Sequence, residues 1–187
     1  ALEYVLRGIA LAERTGDLAA YAQGLAMLAG YLAAGTLGRF GDRALARADQ
    51  LSQMTPTIYP QMVIHGSRGI LCTLRGDWIR MRTCREAGER VAAQLGLERS
   101  WEASFLRTHG ALGEIFACNP ERALEMLEGT PNDDLFGRAL AGSHRGRAYI
   151  LAGALDDARA QLRALEADPV STIGVAAVYR GIFEAEL

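Results

Sequence analysis

This sequence predicts an all-α fold: a right-handed superhelix of antiparallel helix pairs, about ten helices in all. Three observations lead there. A motif returns: His65-Gly66-Ser67-Arg68-Gly69 recurs 44 residues on as His109-Gly110-Ala111-Leu112-Gly113, and a blurred copy, Gly142-Ser143-His144-Arg145-Gly146, follows one repeat later. Helix punctuation divides the whole chain into Ala/Leu-rich stretches. Alternating runs rich in Val, Ile and Thr, which would signal strands, are absent.

The elements follow in order from that punctuation. Helices are expected over 2–14, 17–36, 40–53, 58–75, 77–95, 98–117, 120–129, 132–152, 155–167 and 170–186. Gly16-Asp17, Gly41-Asp42, Gly76-Asp77, Asn119-Pro120 and Asp168-Pro169 mark helix starts. A capping side chain there pairs an orphan N–H, and an acid suits the positive end of the helix dipole. Pro56, Pro60, Pro120, Pro131 and Pro169 fall in breaks or first turns, where the missing N–H costs nothing. Met54 to Pro60 has the character of a loop. Asp133-Asp134 and Asp156-Asp157 imitate paired catalytic carboxylates but sit at helix starts, and Trp78 and Trp101 each open a helix.

Packing is legible as stripes. Leu155, Ala158, Leu162 and Leu165 form one apolar stripe. Three longer helices carry small residues instead: Gly66, Gly69, Thr73 and Gly76; Ala103, Leu106, Gly110, Gly113 and Ala117; Ala139, Gly142, Gly146 and Gly153. An interior helical Gly costs about 1 kcal/mol against Ala, so close approach of a neighbouring helix is the expected compensation. Without a low-complexity linker, residues 1–187 read as a single helical-repeat domain. Starting without Met and stopping in mid-pattern, the chain reads as a fragment of a longer protein.

Composition excludes several functions. A net charge of −2 supplies no field for nucleic acid or an anionic membrane. No apolar run approaches the ~20 residues of a membrane span. All 20 basic residues are arginine, as in a GC-rich bacterial genome. Cys72, Cys84 and Cys118 lack metal-like spacing and read as reduced thiols of a cytoplasmic protein.

The unit closed by Pro169 resembles a tetratricopeptide repeat, with Gly146, Tyr149, Gly153, Leu155, Ala158 and Leu162 in the family's slots. Around residue 69 the slots hold Gly69, Cys72, Gly76 and Trp78, with Met81 in place of Ala. The unit with Gly113 and Phe116 departs at Pro120 and Ala123, and the first keeps Gly38, Phe40 and Ala44. The chain looks most like the divergent repeat regions of large bacterial regulators: signalling ATPases of the maltose-regulator type, serine/threonine kinases and nucleotide cyclases. That resemblance implies a non-catalytic module of signal transduction or transcription regulation that binds a protein, a peptide or another domain of its parent chain. Two alternatives stand beside it: a sensor holding a small-molecule effector in the superhelix groove, and a self-association module.

Site expectations follow from position. Ser67, Arg107, Glu114, His144 and Arg147 are expected to line the inner groove, with Glu114 and Arg147 candidates to pair across adjacent layers. Val178 and Ile182 on the last helix form the expected self-association face of a homodimer. The recurrent histidines invite a metal or pH-sensing reading, but repeat layers lie about 10 Å apart, too far to share one ion, so packing is expected and no metal or cofactor. Arg75, Arg80, Arg82, Arg85 and Arg90 gather charge that could dock an acidic partner or phosphate, although Asp77, Glu86 and Glu89 balance it as a solvated face. Gly35, Gly38 and Gly41 imitate a phosphate loop without its strand or its Lys-Ser/Thr ending. No nucleophile–base constellation is readable, so no catalysis is expected.

Overall fold

The computed structural model describes residues 2–33, 37–128, 135–168 and 174–187. Among them the chain is all-α, with ten helices and no strand. It divides into two compact units, Ala1–Glu98 and Arg99–Leu187, where the sequence reads as one domain. No low-complexity segment marks the boundary between them.

Unit 1 holds α1 (Leu2–Thr15), α2 (Leu18–Ala33), α3 (Gly38–Ser52), α4 (Tyr59–Leu74) and α5 (Trp78–Gln94). Helix α2 packs on α1, α3 and α4, while α4 also packs on α3 and α5. The contact works because α2 presents small residues: Ala22, Ala26 and Ala29 are fully buried. With Leu45, Ala48, Ile64 and Leu71 they build the core.

Unit 2 holds α6 (Trp101–Phe116), α7 (Pro120–Glu128), α8 (Leu135–Leu151), α9 (Leu155–Glu166) and α10 (Gly174–Glu186). Helix α8 is central and touches each of the others. One core cluster joins Ala111, Ile115, Ala123, Met126, Leu127, Ala141 and Ala148; a second joins Ala158, Leu165 and Phe183. The small-residue stripe of α8 receives side chains from its neighbours. A Cβ at Gly142 would come within 2.9 Å of Leu165, and one at Gly146 would overlap the Phe183 ring. Of the α9 stripe, Ala158 and Leu165 are buried, whereas Leu155 is exposed.

Five connections share one turn. A residue with positive φ ends the helix: Gly16 at 71°, Gly76 at 72°, Gly96 at 66°, Cys118 at 57° and Gly153 at 76°. The next N–H bonds back five residues, Asp17 to Ala12, Asp77 to Cys72, Leu97 to Ala92, Asn119 to Glu114 and Ala154 to Tyr149, at 2.8–3.0 Å. This is a Schellman ending, which favours Gly because the left-handed backbone crowds a Cβ. Asp17 and Asp77 then cap the following helix, accepting from the N–H groups of Ala20 and Arg80 at 2.9 and 3.1 Å.

The expected helices α1 to α10 are all present, and the expected loop lies between Ser52 and Tyr59, with Pro60 already in the first turn of α4. Three details differ. Helix α3 opens at Gly38, so Asp42 lies inside it and caps nothing. Helix α6 opens at Trp101 because Ser100 caps it, accepting from the Ala103 N–H at 3.3 Å. The Asn119 side chain donates to Glu114 at 3.1 Å. Gly35, Pro131, Asp133, Asp134 and Pro169 lie outside the described residues.

Candidate functional site

The residues expected to line an inner groove are mostly closed off. Ser67 in unit 1 is buried, as are Glu114 and His144 in unit 2. Glu114 accepts from Asn119. Arg147 is held to Glu186 by two hydrogen bonds, at 2.6 and 2.8 Å, and lies over the Phe116 ring at 5.4 Å. Arg107 is half-buried. Three of the five are thus closed to a partner within their own unit. The physical reason is the small-residue stripes: helices that approach closely shut the polar positions lying along the same face.

The histidines occupy packing positions. His109 Nδ1–H donates to the Phe105 carbonyl at 3.1 Å, and its ring lies 3.9 Å from the Phe105 ring, which stacks in turn on Trp101 at 5.2 Å. Burial lowers the His109 pKa to about 4. Burial, with lesser repulsion from His109 and Arg147, sets His144 well below its usual value. Among the described residues no three His, Cys, Asp or Glu side chains converge as metal ligands would, and no helix is long and apolar enough to cross a membrane.

An open cleft of about 500 Å³ lies in unit 1. Three helix faces build it: Asp42, Leu45, Ala46 and Asp49 of α3; His65, Arg68, Leu71, Cys72 and Arg75 of α4; Arg80, Thr83, Cys84 and Ala87 of α5. Each set repeats at three, four and seven residues, the spacing of one helix face. Helix α4 contacts both α3 and α5, whereas α3 and α5 do not touch, and the gap between them is the cleft.

Its charges are arranged in rungs. Asp42 and Asp49 are two turns apart on α3, as are Arg75 and Arg68 on α4. Arg75 grips Asp42 with two bonds of 2.9 Å, and Arg68 pairs with Asp49. The bidentate bond holds the Arg75 guanidinium in its charged form. Arg80 is different: 79% exposed, it stands 3.8 Å from Asp77. Three arginines and one histidine thus face two aspartates. Burial and the Arg68 charge lower the His65 pKa, and its buried Nδ1 has no hydrogen-bond partner. Burial also raises Cys72 and takes Cys84 up to about 11.

The arginine cluster of the sequence largely resolves into ion pairs: Arg80 with Asp77, Arg85 with Glu89 at 2.5 Å and with Glu86, and Arg75 across to Asp42. Asp49 escaped sequence reasoning, and Asp42 figured there only as a helix cap. Their seven-residue spacing, matched by Arg68 and Arg75, was the available signal. On α10, Val178 is 60% and Ile182 40% exposed, while Phe183 beside them is buried.

Compared with family models, curated proteins and solved structures, the chain matches none.

Proposed function

We propose that this chain is a non-catalytic interaction module of a bacterial signalling or transcription regulator, working in the cytoplasm. Its partner is an acidic segment of a protein or of another domain of its parent chain, docked in the cleft between α3 and α5. The supporting observation is the cleft's charge: Arg68, Arg75 and Arg80 face Asp42 and Asp49, and Arg80 is the exposed cation on its α5 wall. A guanidinium there offers a carboxylate a charge-assisted hydrogen bond. The reading follows the tetratricopeptide resemblance but moves the docking surface away from the buried groove residues.

Arg80→Glu tests it without disturbing the core. Fluorescence anisotropy of a labelled Asp/Glu-rich peptide against the wild-type chain is expected to show binding that weakens at least ~5-fold in the variant, because losing or inverting a charge contact costs about 1 kcal/mol or more. A matched Asn/Gln peptide that binds equally well refutes the reading.

A second reading, a small-molecule effector sensor, is favoured by the cleft's volume, which lies within the range of small-ligand sites. A small dicarboxylate that raises the melting temperature by mass action, while acidic peptides do nothing, selects it. The exposed Val178 and Ile182 favour self-association instead. There an oligomer that persists in Val178→Glu and Ile182→Glu counts against that face.

A further inference from the structure

Two of the chain's three cysteines lie in the same cleft. Cys72 is on α4 and Cys84 on α5, and both line it. Helices α4 and α5 pack directly on each other, which brings the two thiols onto the same cleft lining. Local sequence explains the meeting. The Gly76 turn reverses the chain, and its closing bond runs from the Asp77 N–H to the Cys72 carbonyl. Gly69, one turn before Cys72, faces Cys84 across the helix pair: a Cβ at Gly69 would meet the Cys84 Cβ at 3.9 Å, an ordinary contact. Both thiols are buried to within a few per cent, yet they border an open space large enough for a small reagent.

We propose that Cys72 and Cys84 are a redox modification site, a dithiol that a low-molecular-weight disulfide converts to an internal Cys72–Cys84 disulfide. The cleft admits the disulfide reagent. One protein thiol, its proton lost to water, attacks a reagent sulfur; the reagent S–S bond breaks and one half leaves as a thiolate that takes up a proton. The second protein thiol, likewise deprotonated, attacks the mixed disulfide and expels the other half. Two protein thiols are oxidised and one reagent disulfide is reduced to two thiols. Closure is intramolecular, between thiols on two packed helices that border one cleft, which favours the internal bond over a lasting adduct. Raised thiol pKa values keep the thiolate scarce at neutral pH, so the pair resists chance oxidation and reacts by slow exchange. Cross-linking α4 to α5 would fix one wall of the cleft to its floor and so make ligand access depend on thiol redox state. This inference stands on the two thiols and does not depend on what the cleft docks.

The test uses the full chain with Cys118→Ser, which removes the exposed third thiol of unit 2. The folded protein is equilibrated with oxidised glutathione at mildly alkaline pH, quenched by alkylation and cleaved after arginine without reduction. The expected product joins the peptide 69–75 to the peptide 83–85, with two hydrogens lost and no glutathione retained. Adding Cys84→Ser should instead trap a glutathione adduct on Cys72. Circular dichroism at the incubation temperature confirms that each variant is folded. The proposal is overturned if both thiols remain alkylatable in the folded chain and link only in denaturant. It is equally overturned if a glutathione adduct persists while both cysteines are present.

Discussion

Lowering the pH from 7 to 5 should destabilise unit 2 before any carboxylate of ordinary pKa titrates. His109 is the reason. Its ring is packed on Phe105, its Nδ1–H is committed to the Phe105 carbonyl, and burial takes its pKa from 6.5 to about 4. The folded unit therefore favours the neutral ring, and below pH 6.5 the unfolded chain binds more protons than the folded one. Stability is full above that value, declines as pH falls below it, and stops declining once pH passes about 4. Between pH 7 and pH 5 this linkage amounts to about 2 kcal/mol from His109 alone. His144, also displaced downward by burial, acts in the same direction. For a unit of this size about 2 kcal/mol lowers the melting midpoint by roughly 10 °C. Each unit contains one tryptophan, Trp78 or Trp101, so Trp78→Phe leaves Trp101 to report on unit 2. Its fluorescence is followed through thermal melts at pH 7 and pH 5. His109→Asn, which retains a donor toward the Phe105 carbonyl, should reduce the difference between the two midpoints. Equal midpoints at both pH values for the wild-type histidines would refute the claim that burial holds His109 neutral.

Two further perturbations test the packing and the turns. Phe183 is fully buried against Gly146, so Phe183→Ala should cost about 3–5 kcal/mol in urea denaturation. Gly146→Ala should cost about 1–3 kcal/mol, reversing the gain that Ala normally brings to a helix, because its Cβ would overlap that ring. Cys118 holds a φ of 57° at a turn position that Gly occupies in the other four connections of this type. Cys118→Gly should therefore stabilise unit 2 by about 0.5–1 kcal/mol, and a loss of stability in the same titration would contradict the turn assignment.

The order and approximate ends of the helices were legible in the chain because they depend on chemistry within one or two turns. Asp17 and Asp77 cap the helices they precede, Pro60 and Pro120 sit in first turns, and Gly16, Gly76 and Gly153 take the left-handed positions that end a helix. Cys118 shows where that reading thins: the turn forms without its Gly because the surrounding hairpin holds the backbone there, and residue type alone did not mark it.

The site was less legible because side-chain exposure depends on how closely two helices approach and how each is rotated. Helical spacing grouped Ser67, Glu114 and His144 with polar positions, but tertiary packing buried them. Periodicity alone names a face and leaves its neighbour undecided. The rungs from Arg75 to Asp42 and from Arg68 to Asp49 join helices through residues 33 and 19 positions apart in the chain. The thiol pair needed the α4–α5 hairpin to bring both cysteines to one cleft. The sequence by itself determined a succession of helices and turns, since caps, glycines and prolines act locally. Only the tertiary structure decided which polar groups remained open to a partner, because desolvation and pairing depend on distances that no local pattern contains.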